Sequence, residues 1–279
     1  MNHNDKKTNT KQGVFLLNKW FLDFLSKSGE AMIFYAAKLS FKGIVVNYAS
    51  WIKHDESGLR TRSHFRNVKL PEKNDNLITW HDEKFKISGS WHSITKPLKA
   101  RIFDSDDGYL DWNCFQPASN VELKINEKII KGLGYVEQLI LTTPPWHIPM
   151  NDLRWGRFHS LHDTMVWIEL REQNKQQWLW LNNERILNPI IEDDHIVSED
   201  KNFVLNLDRG IVLESEKKIF KVVEKLLSYL PGFKQLMPAK FLMATNYKWL
   251  SKGEFQKKGH TKRQVMAIHE WVNFNSQDQ

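Results

Sequence analysis

The sequence predicts an all-β protein built from antiparallel strands, and three observations carry that reading. From Glu30 onward, short segments with β-branched or aromatic residues at alternate positions follow one another, parted by Gly, Asp, Asn, Lys or Pro turns. Charged residues crowd the connections, while the segments place side chains alternately on two faces, as a half-buried strand requires. The same rhythm returns after the double proline Pro144-Pro145. A meander of this kind closes into a barrel or a sandwich, because closure removes strand edges that would otherwise pair with other chains.

Taken in order, residues 1–13 (MNHNDKKTNTKQG) are polar and lack an apolar core behind a basic start, so they read as a disordered lead without a secretory signal. A cytoplasmic location is the expectation. Val14 to Leu25 (VFLLNKWFLDFL) has apolar residues on nearly every turn and suits either a short helix or an entering strand. Strands are then expected at EAMIFYAAKL, GIVVNYASWI, LRTRSHFRNV, LITWH, FKISGSWHSI, LKARIFDS, YLDWNCF and SNVELKI. The second half offers DTMVWIELRE, QQWLWLNN, NFVLNLDRGIVLE, AKFLMATNYKWLS and QVMAIHEWVNF. One helix interrupts it: Ser215 to Leu230 sets Ile219, Val222, Val223, Leu226, Leu227 and Leu230 on one stripe, with Ser215 as N-cap and Pro231-Gly232 as the stop. Two β modules, residues 14–150 and 151–279, meet in the loop-rich stretch from Pro144 to Leu153.

Composition narrows the function. With 41% hydrophobic and 26% charged residues the chain is ordinary for a globular protein, and no apolar run reaches the ~18 residues that span a bilayer. The single cysteine, Cys114, excludes an internal disulfide, and its place in an apolar strand reads as a buried thiol. A net charge of +7 raises two partners, nucleic acid and an anionic membrane surface. The excess is scattered and no nucleic-acid motif accompanies it, so nucleic acid is not expected and peripheral membrane contact stays open. The 12 tryptophans suit an aromatic core, or an aromatic-walled cavity lined by a few of them.

Chemistry concentrates between Gly132 and Leu170. Gly132-Leu133-Gly134 allows a positive φ or a close backbone approach, after which Tyr135 and Glu137 share one strand face. Further on, Leu153, Trp155, Arg157 and His159 share a face, with Arg154, Gly156 and Phe158 on the other. His159, His162 and Asp163 are zinc-type ligands, but a strand-turn-strand does not gather them on one side, so no metal is expected. His269-Glu270 lacks the zincin spacing, and alternation lets only one of the two reach a cavity. No Walker loop, dinucleotide fingerprint or Ser/His/Asp order is present, and no cofactor is expected.

The ordered set Leu110-Asp111-Trp112-Asn113, Gly132-x-Gly134-Tyr135-x-Glu137, Leu153-Arg154-Trp155-Gly156-Arg157, Tyr247-Lys248-Trp249 and Ala267-Ile268-His269-Glu270 resembles the carotenoid hydratase (hydroxyneurosporene synthase) and AttH-like superfamily. The resemblance covers most of the chain after Glu30. It implies two lipocalin-like (calycin-type) β-barrels in tandem, a hydrophobic small-molecule cavity at or near their junction, and relatives that include hydratases and lipocalin-like cyclases such as Diels-Alderases. The hydratases' Tyr-x-Asp pair falls on Tyr135 and Glu137, with Glu replacing Asp, and their upstream aromatic falls on Trp112. The histidine that the hydratases carry near that tryptophan is not evident, since Leu110, Asp111 and Asn113 stand there.

The expected catalytic set is therefore Glu137, Tyr135 and His159, and the expected substrate-binding set is Trp112, Asn113, Trp155, Arg157 and His269. A carboxylic acid walled by apolar side chains keeps its proton toward neutral pH and can protonate an alkene or start a cyclisation. Tyr135 can relay a proton or orient substrate. The faces of Trp112 and Trp155 can stabilise a cation, and Arg157 with His159 can hold a carboxylate, carbonyl or phenolate. Each has a plainer reading: an exposed or Arg-paired glutamate, aromatic rings filling the core, an arginine bridging the two modules. Two functions follow: a cofactor-independent enzyme acting on a polyene, isoprenoid or polyketide-like molecule, or a carrier that binds an apolar ligand unchanged.

Overall fold

The computed structural model describes residues 15–160, 162–172, 175–215 and 244–274. The expected helix from Ser215 to Leu230 falls, after Ser215, outside the described residues. The first sheet takes β1 (Phe15–Leu25), β2 (Ala31–Phe41), β3 (Ile44–Asp55), β4 (Gly58–His64), β5 (Glu72–Asn74), β6 (Leu77–Asp82), β7 (Ile87–Ser93), β8 (Leu98–Ser105), β9 (Gly108–Ile125) and β10 (Lys128–Leu141). After a single 3-10 turn at Pro145–His147, the second sheet takes β11 (Asp152–His159), β12 (Thr164–Arg171), β13 (Gln176–Leu181), β14 (Glu184–Ile186), β15 (Ile190–Ile191), β16 (His195–Val197), β17 (Phe203–Leu207), β18 (Ile211–Ser215), β19 (Thr245–Lys257) and β20 (Arg263–Asn273). Every pairing is antiparallel, and the two ten-stranded sheets share one plan: β4-β3-β2-β1-β10-β9-β7-β6-β5 with β8 on β9, and β14-β13-β12-β11-β20-β19-β17-β16-β15 with β18 on β19. The fold is all-β, of the tandem lipocalin-like kind.

The segment that suited a helix or a strand is a strand, because Trp20, Leu22 and Phe24 point to one core and Phe15, Phe21 and Leu25 to another. A period-two split with apolar residues on both sides is what a doubly covered strand looks like. The first sheet curls around Trp20, Phe34, Trp51, Trp80, Trp91 and their neighbours, and His64 at its β4 edge reaches Asp82 on β6 at 2.9 Å. The second sheet curls around Phe158, Trp167, Leu205 and Phe255. The largest core belongs to neither curl. It joins the opposite faces of both sheets, with Phe21, Tyr35, Trp112 and Tyr135 from one and Trp155, Ile168, Ile268 and Val272 from the other.

Two local features differ from the sequence reading. YLDWNCF and SNVELKI are one strand, β9, which runs through Pro117 without a break. Proline cannot donate to a ladder, and the pairing slips here: Gly134 faces Ser119, Val136 faces Gln116 and Glu137 faces Cys114. The extra residues of β9 form an irregular bulge opposite Tyr135, and bulges re-aim neighbouring side chains. The glycine pair before it serves close approach rather than a positive φ. A Cβ at Gly134 would strike the carbonyl oxygen of Asp23 and the side chain of Val121. No helix among the described residues is long and apolar enough to cross a membrane.

Candidate active site

Glu137 leaves the bulged stretch of β10 and enters a cavity of about 320 Å³ between the two sheets. The walls are mostly apolar: Phe15, Leu17 and Phe21 from β1, Leu139 and Leu141 from β10, Ile168 and Leu170 from β12, Val272 from β20, and Trp146, Ile148 and Met150 from the connection between the sheets. Glu137 is 6% exposed. Three donors converge on one of its oxygens: Oε2 accepts from Trp112 Nε1 at 2.5 Å, from the Tyr135 hydroxyl at 2.5 Å and from Trp155 Nε1 at 3.1 Å. Oε1 has no donor among the described residues. Burial pushes the carboxyl above its ordinary range, against the pull of those donors and of Lys19.

The donors are themselves held. Trp112 stacks on Trp180 with ring centres 5.0 Å apart, and Trp155 meets Phe21 edge-on at 5.0 Å and Tyr135 at 5.7 Å. Tyr135 is fully buried, and burial raises its hydroxyl well above the usual range, so it stays a donor. Gly156 beside Trp155 leaves room for the indole of Trp167, which a Cβ would strike. Residues from both sheets thus fix one carboxylate.

The remaining expected residues lie elsewhere, which corrects the sequence reading. Arg157 is fully buried and is committed to Asp23 of β1, Nη2 at 2.6 Å and Nε at 2.8 Å, which makes it the bridge between sheets. His159 sits behind it, 3.5 Å from the guanidinium, where burial and the arginine's charge lower its pKa well below the usual range. Neither lines the cavity. Asn113 alternates with Trp112 along β9 and is absent from the lining. His269 faces away, stacked on Trp249 at 5.1 Å and bonded to Ser251 at 2.8 Å, and burial lowers its pKa to about 4. Glu270, its neighbour, is the one that reaches the cavity.

Polar residues of the wall that were not among the expected site residues are Lys19, Tyr35, Thr245, Asn246 and Glu270, and Lys248 stands behind Tyr35 and Glu270. Lys248 donates to the Tyr35 hydroxyl and lies 3.1 Å from both Glu214 and Glu270. Burial opposes its charge, but Glu270, Tyr35 and Glu214 together raise its pKa well above the ordinary value. Lys19 has the opposite balance: desolvation lowers its pKa, with Glu270 the largest opposing influence. Asn246 is 3% exposed, and neither its amide nitrogen nor its oxygen has a partner among the described residues. Such an orphaned buried amide costs on the order of 1–3 kcal/mol. One signal in the sequence could have found the lysines: each falls in period-two register with core residues of its own strand, Lys19 with Phe21 and Lys248 with Leu250.

Among the described residues no three His, Cys, Asp or Glu side chains gather so as to hold a metal ion. Asp163 is instead occupied by Lys257 at 2.5 Å, Arg263 at 2.9 Å and Asn182 at 3.0 Å.

No protein-family model matches the chain, and no curated protein sequence matches it. Solved structures do match in fold. Kievitone hydratase from Nectria haematococca superposes with a TM-score of 0.54 at 9% identity, covering 94% of this chain and 89% of that one. CghA gives 0.53 at 10% identity over 93% and 87%, and an AttH-like protein from Nitrosomonas europaea gives 0.51 at 6% identity over 95% and 94%.

Proposed function

We propose that this chain is an enzyme that hydrates, cyclises or isomerises a hydrophobic polyene, isoprenoid or polyketide-like molecule, using Glu137 as proton donor and acceptor and no cofactor. The observation that carries this reading is the division of labour on one carboxyl group: Oε2 holds three donors, while Oε1 has none among the described residues. A carboxylic acid so arranged carries its proton on the free oxygen. Burial raises its pKa and keeps the acid form populated at higher pH than usual.

In this mechanism the proton on Oε1 passes to one alkene carbon, the π pair forms the new C–H bond, and the adjacent carbon becomes cationic. The carboxylate left behind is stabilised at once by Tyr135, Trp112 and Trp155, donors already in place. Trp112, Trp155 and Phe21 line the same cavity, and the faces of such rings lower the energy of a cation formed against them. Attack by water followed by loss of its extra proton completes hydration, attack by a second double bond followed by loss of a proton next to the cation it creates completes cyclisation, and loss of a neighbouring proton alone completes isomerisation; in each case the released proton returns to Glu137. A fold shared with a kievitone hydratase is in keeping with such chemistry. A carrier would need the cavity but not the convergence on Oε2.

The test starts from native mass spectrometry of protein purified from its own host, which identifies a co-purifying hydrophobic molecule. Incubated in heavy water, the wild type should place deuterium on carbon, and Glu137→Gln should lose that activity by about 10²–10⁴-fold while still binding the molecule. Undiminished incorporation in Glu137→Gln would remove Glu137 from the mechanism and leave the carrier.

A further inference from the structure

We infer that Lys19 and Asn246 form a docking point for an anionic oxygen at one end of the cavity's ligand, so that the cavity takes a molecule with an apolar body and an acidic head, whether carboxylate, phenolate or enolate. This rests on the cavity being a ligand site, as proposed above, and adds the chemical class of what enters it.

Lys19 projects from β1 on the same face as Phe21. It pairs across the ladder with Leu139, one diagonal step from Glu137, which pairs with Phe21. Its ammonium forms no hydrogen bond or ion pair with any described residue; what it meets is the ring of Tyr35, 5.0 Å away. The contrast with Lys248 is direct, since that ammonium has the Tyr35 hydroxyl, Glu214 and Glu270 around it. Asn246, from β19, brings a second donor to the same cavity, its amide nitrogen buried and without a partner among the described residues.

The carboxylates nearby already have partners. Glu270 and Glu214 share Lys248, each at 3.1 Å, and Glu137 is held by Tyr135 and the two indoles. Among the described residues the wall thus leaves the Lys19 ammonium and both ends of the Asn246 amide without a partner, beside the Glu137 oxygen that carries the proton. The group that answers the ammonium and the amide N–H together is an oxygen anion, which forms charge-assisted hydrogen bonds with such donors. Arg157 cannot serve instead, because Asp23 occupies it.

The experiment uses the full-length, delipidated protein and tryptophan fluorescence titration at neutral pH with three probes: dodecanoate, decanoyldimedone as its enolate, and neutral dodecanol. The wild type should bind at least one anion about tenfold or more tightly than dodecanol, and which anion it prefers distinguishes a carboxylate from an enolate ligand. Lys19→Met should bring the anion down to the affinity of dodecanol while changing dodecanol by no more than about twofold. Lys19→Arg should keep the preference, and Asn246→Leu should weaken it. Equal binding of alcohol and anions by the wild type overturns the inference, a result that depends on no variant folding, and so does a preference that survives in Lys19→Met. Failure of all three probes to bind overturns it together with the cavity reading. By contrast, undiminished turnover in Glu137→Gln would sink the proton chemistry and leave the head-group preference standing.

Discussion

Glu137 shows how one side chain can be read from sequence in kind but not in environment. Its pairing with Tyr135 on a strand face was legible, because spacing alone decides which way alternate residues point. That both oxygens would be treated differently was not, since Trp112 lies 25 residues before Glu137 and Trp155 lies 18 after it. The hydrogen bond from Tyr135 holds the carboxyl pKa down against burial, so its removal has a definite sign. Tyr135→Phe should raise the Glu137 pKa further, and the indole N–H resonances of Trp112 and Trp155 should titrate at higher pH than in the wild type. An unchanged midpoint would mean that the tyrosine does not act on that carboxyl. Lys19 escaped notice for a related reason: a lysine in an apolar strand looks like a solvated interruption until the opposite sheet is in place.

At the scale of the strand, β1 and β11 are tied by a buried ion pair, Asp23 to Arg157. Burial raises the Asp23 carboxyl to about 6 despite the arginine. A raised carboxyl favours folding when protonated, so its contribution is complete below the ordinary carboxylate range and is lost as pH climbs through about 6. His159 and His269 run the other way: their pKa values are lowered, so their contributions are present above the ordinary imidazole range and are lost as pH falls, for His269 down to about 4. Between those limits the slopes oppose. Asp23→Asn should therefore cost about 3–5 kcal/mol by leaving Arg157 uncompensated, and should make stability rise more steeply with pH than in the wild type. Urea denaturation at a series of pH values reads both, and a shallower slope would contradict the assignment. On β10, Gly134→Ala should lower the urea midpoint by about 1–3 kcal/mol worth of stability, because the new methyl meets the Asp23 carbonyl that also accepts from Trp91 at 2.8 Å.

For the whole molecule, the arrangement of the cores sets the expectation. We propose the division of the chain into modules 14–150 and 151–279 as a description of its topology, each half contributing one sheet. Their largest core is common property, formed by faces that neither sheet could cover alone. Unfolding should then be a single transition, with far-UV circular dichroism and tryptophan fluorescence giving the same urea midpoint. Two separated midpoints would show that the shared core does not couple the sheets. The same core explains why β1 was ambiguous in sequence: covered on both sides, it lacks the polar face that marks most antiparallel strands.

By itself, the sequence determined the period-two rhythm, the antiparallel class, and the facing of Tyr135 with Glu137 and of Trp155 with Arg157, all consequences of local backbone geometry. Only the tertiary structure decided that Arg157 would be consumed by Asp23, that His269 would turn away while Glu270 turned in, and that Lys19 and Asn246 would line a largely apolar cavity with no partner for either among the described residues. Those outcomes depend on which residues of different strands come face to face, and partners that are apart in sequence, as Asp23 and Arg157 are, leave no mark in the local pattern.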